Sequence, residues 1–247
     1  KKLDSKNTII HETITISGIG ESSLSDSIKD WEESIPKGTS LAYLPSPGLI
    51  RLRLSASTDD ETSGRKKLKA LFAKLHPRIE KYYLSDRDER AHETIVRILK
   101  ELKKTISTAE SCTGGTISSL ITSIPGSSAV FKGSVVAYEN SVKENILNVK
   151  PDDLENHGAV SREVVAQMAV NVRKLMKTDF AIATSGIAGP DGGTEEKPVG
   201  FTWIAIAWEG GVLAKLFQFG NLREVNVIRS AVYGIHMLIK QIRNTKP

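Results

Sequence analysis

At 247 residues and 39% hydrophobic content, the chain is long enough for one large domain or two ordinary ones with packed cores. A single Cys excludes an internal disulfide, and no apolar run approaches the ~20 residues of a membrane-spanning helix. The net charge of +5 arises from 34 basic and 29 acidic residues, mostly interspersed, a balance that argues against an extended nucleic-acid surface. The chain opens on Lys1 rather than Met, and its first six residues lead into no apolar signal-peptide core. The expectation is a cytoplasmic protein whose upstream sequence is not included.

Residues 7–17 alternate Ile10, Thr13, Ile14, Thr15 and Ile16 among polar neighbours and predict a strand. Gly18-Ile-Gly20 breaks it, and residues 21–33 place Leu24, Ile28 and Trp31 on one face of a helix. Residues 41–44 and 49–54 predict two strands joined through Pro45-Ser-Pro-Gly48. A helix over about residues 60–75 buries Leu68, Leu71, Phe72 and Leu75, and residues 79–84 close the set as a strand. The order β-α-β-β-α-β is the split-βαβ pattern, a small sheet with two helices on one side. The basic cluster Arg65-Lys-Lys-Leu-Lys69 reads as a solvated helix face. Ser85-Asp-Arg-Asp-Glu-Arg90 reads as a linker or an exposed helix start, so the boundary is set between a small α+β domain over 1–86 and a second domain over 87–247.

The second domain alternates helices and strands as a layered α/β/α unit does. A helix over 91–103 buries Ile95, Ile98, Leu99 and Leu102; a short strand over 105–109 follows, then a helix over 116–124 that ends at Pro125-Gly126. A strand over 133–138 leads into a helix start at Glu139-Asn-Ser-Val-Lys143. After Pro151 comes a helix over 161–177 with Ser161 as N-cap, then the apolar strand 180–184. Residues 200–208 and 212–219 form a hairpin around Glu209-Gly-Gly211, which makes the sheet mixed, and a long helix over 223–243 closes the domain.

The chemistry concentrates in Thr108-Ala-Glu-Ser-Cys-Thr-Gly-Gly115, a hydroxyl-rich loop between a strand and a helix. Ser111 is the candidate nucleophile, because such a position points Oγ into a cleft beside helix-start amides. Cys112 is the rival, since thiolates are the better nucleophiles, but only one of two adjacent side chains should face the pocket. Two further loops leave the C-terminal ends of predicted strands, where ligands of open α/β sheets collect. Among the five His residues only His157 is placed in a loop; the others fall in the small domain or within helices. The alternative base is Lys143, which needs desolvation or nearby positive charge to accept a proton, and spacing alone reads it equally as a solvated first-turn lysine. Tyr138 is placed to orient it or to relay a proton, or simply to pack. Gly186-Ile-Ala-Gly-Pro-Asp-Gly-Gly193 lets backbone approach a phosphate or ribose but fits neither a Walker loop nor a dinucleotide fingerprint, and Arg223 is a phosphate partner by its fork geometry. No metal-ligand spacing occurs.

Taken in order, Ala109-Glu-Ser-Cys-Thr-Gly-Gly115, Gly126-Ser-Ser128, Tyr138-x-Asn-x-x-Lys143, His157-Gly-Ala-Val-Ser161, Ser185-Gly-Ile-Ala-Gly-Pro-Asp-Gly-Gly193 and Glu196-Lys-Pro-Val-Gly200 resemble the CinA C-terminal domain family, the nicotinamide mononucleotide deamidases. Gly18-Ile-Gly-Glu-Ser22 and Leu44-Pro-Ser-Pro-Gly-Leu-Ile-Arg-Leu-Arg-Leu54 resemble the KH-like middle domain of full-length CinA proteins. Their N-terminal molybdopterin-binding-like domain has no counterpart here. The resemblance implies amide hydrolysis of nicotinamide mononucleotide by a Ser111/Lys143 pair with Tyr138 beside it, without metal or cofactor, in a homodimer. Ser111 would attack the carboxamide, and amides of Cys112, Thr113, Gly114 and Gly115 would hold the oxyanion. Ser128, Arg223 and the loop of Gly186, Ile187, Ala188 and Gly189 are the remaining substrate-binding candidates. The alternative is a non-catalytic nucleotide- or nucleic-acid-binding module, but residues 1–90 lack the G-x-x-G clamp of KH domains.

Overall fold

A computed structural model describes residues 8–245; Asn7, where the first expected strand opens, and residues 1–6 lie outside the described residues. The chain parts into two units, residues 1–90 and 91–247.

The first unit runs β1 (Thr8–Ser17), α1 (Glu21–Glu33), β2 (Thr39–Ser46), β3 (Leu49–Thr58), α2 (Glu61–Ile79) and β4 (Tyr83–Ser85). Its strands pair in the order β2-β3-β1-β4, all antiparallel. Period-two patterning turns Ile10, Ile14 and Ile16 of β1 and Ile50, Leu52 and Leu54 of β3 toward one face, where they meet Leu24, Ile28 and Trp31 of α1 and Leu68, Phe72 and Leu75 of α2. Asp60 caps α2, accepting from the Thr62 and Ser63 amides at 3.0 and 3.3 Å, a contribution of about 1 kcal/mol.

Two expectations need correction here. Ile79 ends α2 rather than opening a strand, and β4 begins only at Tyr83. The stripe Leu68, Phe72, Leu75, Ile79 keeps helical spacing through Pro77, and its burial outweighs the one backbone donor that Pro77 removes. Residues 86–90 are not a free linker. The carbonyls of Arg87 and Glu89 accept from the buried Thr15 hydroxyl at 3.1 and 3.3 Å, and Asp88 pairs with Arg51 at 2.9 Å and Arg53 at 2.7 Å. This segment folds back on the sheet face opposite the helices, because the small hydroxyl side chains of β1 there need acceptors once buried. In the basic cluster, Arg65 is held by Glu12 and Glu61, while Lys66, Lys67 and Lys69 are exposed.

The second unit runs α3 (Ala91–Leu102), β5 (Ile106–Glu110), α4 (Thr116–Thr122), β6 (Phe131–Val136), α5 (Asn140–Asn145), α6 (Pro151–His157), α7 (Arg162–Leu175), β7 (Phe180–Gly186), β8 (Phe201–Trp208), β9 (Gly211–Gln218) and α8 (Arg223–Asn244). The sheet order is β6-β5-β7-β8-β9, parallel through β7 and antiparallel beyond. It is the mixed, layered sheet that the element order predicts. On one face Ala109, Ala181, Ala183, Ala205 and Ala207 let α7 approach closely through Val164, Val165, Met168 and Val172. On the other, α8 comes so near that a Cβ on Gly234 would lie 2.9 Å from Ile182 Cγ2. Helix α4 packs beside α8 on that same side.

This topology makes the cleft. Between β5 and β6 the chain crosses by way of α4 on one face; between β6 and β7 it crosses by way of α7 on the other. The connections after β5 and after β6 thus leave neighbouring parallel strands in opposite directions, which opens a crevice at the strands' C-terminal ends.

Candidate active site

Ser111 follows β5 at this crevice, and its amide donates to the Thr184 carbonyl of β7 at 3.0 Å. Gly114 and Gly115 adopt φ of +56° and +98°, the left-handed turn that ties the loop to α4 and that only glycine takes without strain. Cys112 is buried, its thiol bonded to the Thr184 side chain, and burial pushes its pKa up to about 12. A thiol held protonated in this way is a poor nucleophile.

Lys143 comes from α5, on the neighbouring connection. It is only 1% exposed, and among the described residues it and Glu110 are the only buried side chains of Asp, Glu, Lys or Arg. Its Nζ donates to the Tyr138 carbonyl at 3.2 Å, and no carboxylate among the described residues pairs with it. Burial lowers its pKa from 10.5, partly opposed by the nearby Cys112. Among the described residues no hydrogen bond joins Ser111 to Lys143; Cys112, next to Ser111, is the neighbour that Lys143 senses. Apo sites often tighten such contacts only when substrate is bound.

Tyr138 is 61% exposed at the mouth of the crevice. Its hydroxyl accepts from Arg223 at 3.1 Å, and the same guanidinium donates to the Gly189 carbonyl at 2.9 Å. The fold thus brings Tyr138, Arg223 and the glycine loop together. Within that loop Gly186 is required by packing, since a Cβ there would lie 2.5 Å from Thr202 Oγ1, and Ile187 is paired through Phe201 and Gly200. Ala188 is buried with its carbonyl bound by Asn226, and among the described residues the Ala188 and Gly189 amides are not engaged by the protein.

Three expectations fail at this level. Ser128 lies in a 3₁₀ turn before β6, at the N-terminal end of a parallel strand, whereas Ser111 lies at the C-terminal end. Six residues of strand put about 20 Å between those ends, so Ser128 is remote from the site. The Gly114 and Gly115 amides are not available to an oxyanion, because they donate to the Ser111 carbonyl and to Glu110. His157 is not in a loop but ends α6, where Pro151 at the first turn and Asp152 and Asp153 behind it supply the start signals. Its Nε2 lies 3.8 Å from Asp153.

Residues 88–242 match the family described as CinA C-terminal domain, and residues 11–84 match the KH domain of damage-inducible protein CinA. The chain belongs to the CinA family. A CinA-like protein of Cytophaga hutchinsonii is 43% identical over 238 residues, 96% of this chain and 57% of that protein. One of Flavobacterium psychrophilum is 43% identical over 235 residues, 95% and 56% respectively, so the chain spans little more than half the length of these relatives. Among solved structures, competence/damage-inducible protein CihA from Agrobacterium tumefaciens is 38% identical with TM-score 0.59, covering 61% of this chain and 92% of that one. Competence damage-inducible protein A (ComA) from Klebsiella pneumoniae is 30% identical with TM-score 0.61, covering 64% and 100%.

In this CinA chain three residues escaped the sequence reading as individuals. Glu110 is fully buried beneath the Ser111 loop, and the signal for it is an acid at the end of a strand, one short loop before a helix start. Thr184 bonds Thr113 Oγ1 at 2.7 Å and receives the Ser111 amide. Asn226, 1% exposed, donates to the Ala188 and Gly220 carbonyls at 2.9 and 2.8 Å. Among the described residues no helix is long and apolar enough to cross a membrane, and no group of His, Cys, Asp and Glu gathers to hold a metal ion.

Proposed function

We propose that this CinA chain hydrolyses the carboxamide of nicotinamide mononucleotide to nicotinate mononucleotide and ammonia. The observation that carries the reading is Lys143, a buried lysine that no carboxylate among the described residues pairs with and whose titratable neighbour is Cys112 of the Ser111 loop. Desolvation favours its neutral amine, the form a general base needs. Ser111 Oγ attacks the carboxamide carbon and its proton passes to Lys143. The C–N bond then breaks, Lys143 returns the proton to the departing ammonia, and water cleaves the acyl-serine ester to the carboxylate. The raised pKa of Cys112 supports Ser111 over its neighbour. Arg223 and the free amides of Ala188 and Gly189 supply the anion-binding side for phosphate and ribose. The homodimer and the cytoplasmic setting belong to the same reading.

Ammonia release from nicotinamide mononucleotide by the purified chain tests this, with nicotinamide riboside as the comparison that isolates phosphate recognition. Ser111→Ala is expected to lose about 10³-fold or more in kcat, and Cys112→Ala to keep most of it. Full activity of Ser111→Ala would remove Ser111 from the chemistry.

A further inference from the structure

The α4 start is already filled. The Glu110 carboxylate is completely buried, and the groups that donate to it belong to its own strand, the loop that follows and helix α4. Its Oε1 accepts from the Ser118 amide at 2.9 Å and the Ser118 hydroxyl at 2.6 Å, with the Thr108 hydroxyl at 3.2 Å. Its Oε2 accepts from the Gly115 and Ile117 amides, both at 3.0 Å, and from the Thr113 hydroxyl at 2.8 Å. That uses the full acceptor capacity of a carboxylate. Thr113 extends the network to Thr184 Oγ1, and the Thr184 carbonyl takes the Ser111 amide, so one connected set of bonds runs from Glu110 across the nucleophile loop to β7.

The remaining amides follow by subtraction. From 111 to 118, Ser111 donates to Thr184, Gly114 to Ser111, Thr116 to Thr113, and Gly115, Ile117 and Ser118 to Glu110. Those of Cys112 and Thr113 are the two not engaged by another residue's group among the described residues.

We propose that Glu110 is a positioning residue that closes the α4 N-terminus to substrate anions and presents only the Cys112 and Thr113 amides, beside Ser111, as the oxyanion hole. This rests on the amidase reading above. The substrate phosphate is thereby directed away from α4, toward Arg223. Preorganised amides of this kind act on the developing charge of the transition state, so their loss lowers kcat and leaves KM nearly unchanged.

The test is Glu110→Gln, which sets an NH₂ group against at least one backbone N–H that the carboxylate now accepts. In ammonia release from nicotinamide mononucleotide, kcat should fall about 100-fold with KM within about 3-fold, in protein whose circular dichroism matches the unsubstituted chain. A merely structural role would lower the unfolding midpoint and leave kcat per folded molecule intact, and that result would overturn the proposal. A burst assay with p-nitrophenyl acetate separates it from the deamidase reading. There Ser111 Oγ attacks the acetyl carbon, the ester C–O bond breaks, p-nitrophenolate leaves and Lys143 takes the hydroxyl proton; Ser111→Ala sets the zero. A chain with a burst but no ammonia loses the deamidase reading, and Glu110 is then judged on the burst rate, again about 100-fold slower in Glu110→Gln. A chain with neither overturns both. Should Glu110→Gln fail to fold, Thr113→Val decides: it deletes one donor and the bridge to Thr184, and kcat should fall about 10-fold, an unchanged kcat counting against the proposal.

Discussion

Two glycine-rich loops leave the same end of the same sheet, and they are held in opposite ways. The loop after β5 is fixed from within, by the Glu110 carboxylate that its own strand supplies. The loop after β7 is fixed from outside, by Arg223 and Asn226 on the distant helix α8. A loop that carries its own counter-charge keeps its geometry as long as β5, α4 and the neighbouring β7, whose Thr184 takes the Ser111 amide, stand. A loop held by a separate element inherits that element's motion. On the proposed amidase reading this suits a division in which the first loop does chemistry, where placement errors are costly, and the second admits and releases ligand.

Changes that touch the first loop's chemistry should therefore produce the largest losses. Lys143→Arg keeps the charge but cannot yield a neutral base, and kcat should drop about 10² to 10⁴-fold. Because burial lowers the Lys143 pKa, kcat/KM of the unsubstituted enzyme should climb with pH as the ammonium gives up its proton, below the 10.5 of an ordinary lysine. A profile of Lys143→Arg that keeps this rising limb would assign it to another group. Asn226→Ala comes next in size. It frees the Ala188 and Gly220 carbonyls, so the second loop loosens and KM for nicotinamide mononucleotide should rise about 10-fold with a smaller change in kcat. If Asn226→Ala instead lowers kcat alone, the contrast between the two loops is wrong.

How much of this could be read before the structure depended on whether a residue's neighbours lie close in sequence. Apart from β4, whose expected start fell inside α2, the strands of both units, the hairpin of β8 and β9 and the mixed sheet were legible, because β-branched alternation and turn residues are local signals. The place of Ser111 in a loop between a strand and a helix was legible for the same reason. The burial of Lys143 was not, since a lysine in a six-residue helix looks solvated until α5 is packed, through Val142, against the apolar cluster of the sheet. Ser128 came with the Gly126-Ser-Ser128 motif of the resemblance, and nothing local in the sequence shows that it falls at the opposite end of a parallel strand from Ser111. Helix α6 was missed for want of periodicity: seven residues with Leu154 alone buried give no stripe, though Pro151 and two acids marked its start. Asn226 sits on the apolar face of α8, where only the packed loop shows why a polar side chain belongs there.

The smallest expected effect probes α8 itself. His236 lies in its buried half with Nε2 unpartnered among the described residues, and burial, helped by Lys240, Arg243 and Lys215, lowers its pKa from 6.5 to about 3. The unfolded chain binds this proton first, so the stability that neutral His236 provides is complete above pH ~6.5 and is lost progressively as pH falls toward ~3. At one pKa unit per 1.36 kcal/mol, the loss reaches about 2 kcal/mol near pH 5. His236→Leu should flatten this part of the dependence of the unfolding midpoint on pH. The contrast between the loops then makes a finer demand on hydrogen exchange near pH 5. As α8 weakens, the hydrogen-bonded Ile187 amide of the second loop should lose protection before the Gly115, Ile117 and Ser118 amides of the first, whose carboxylate acceptor is not on that helix. Simultaneous loss in both segments would mean that the first loop, too, depends on α8, and that Glu110 alone does not hold it.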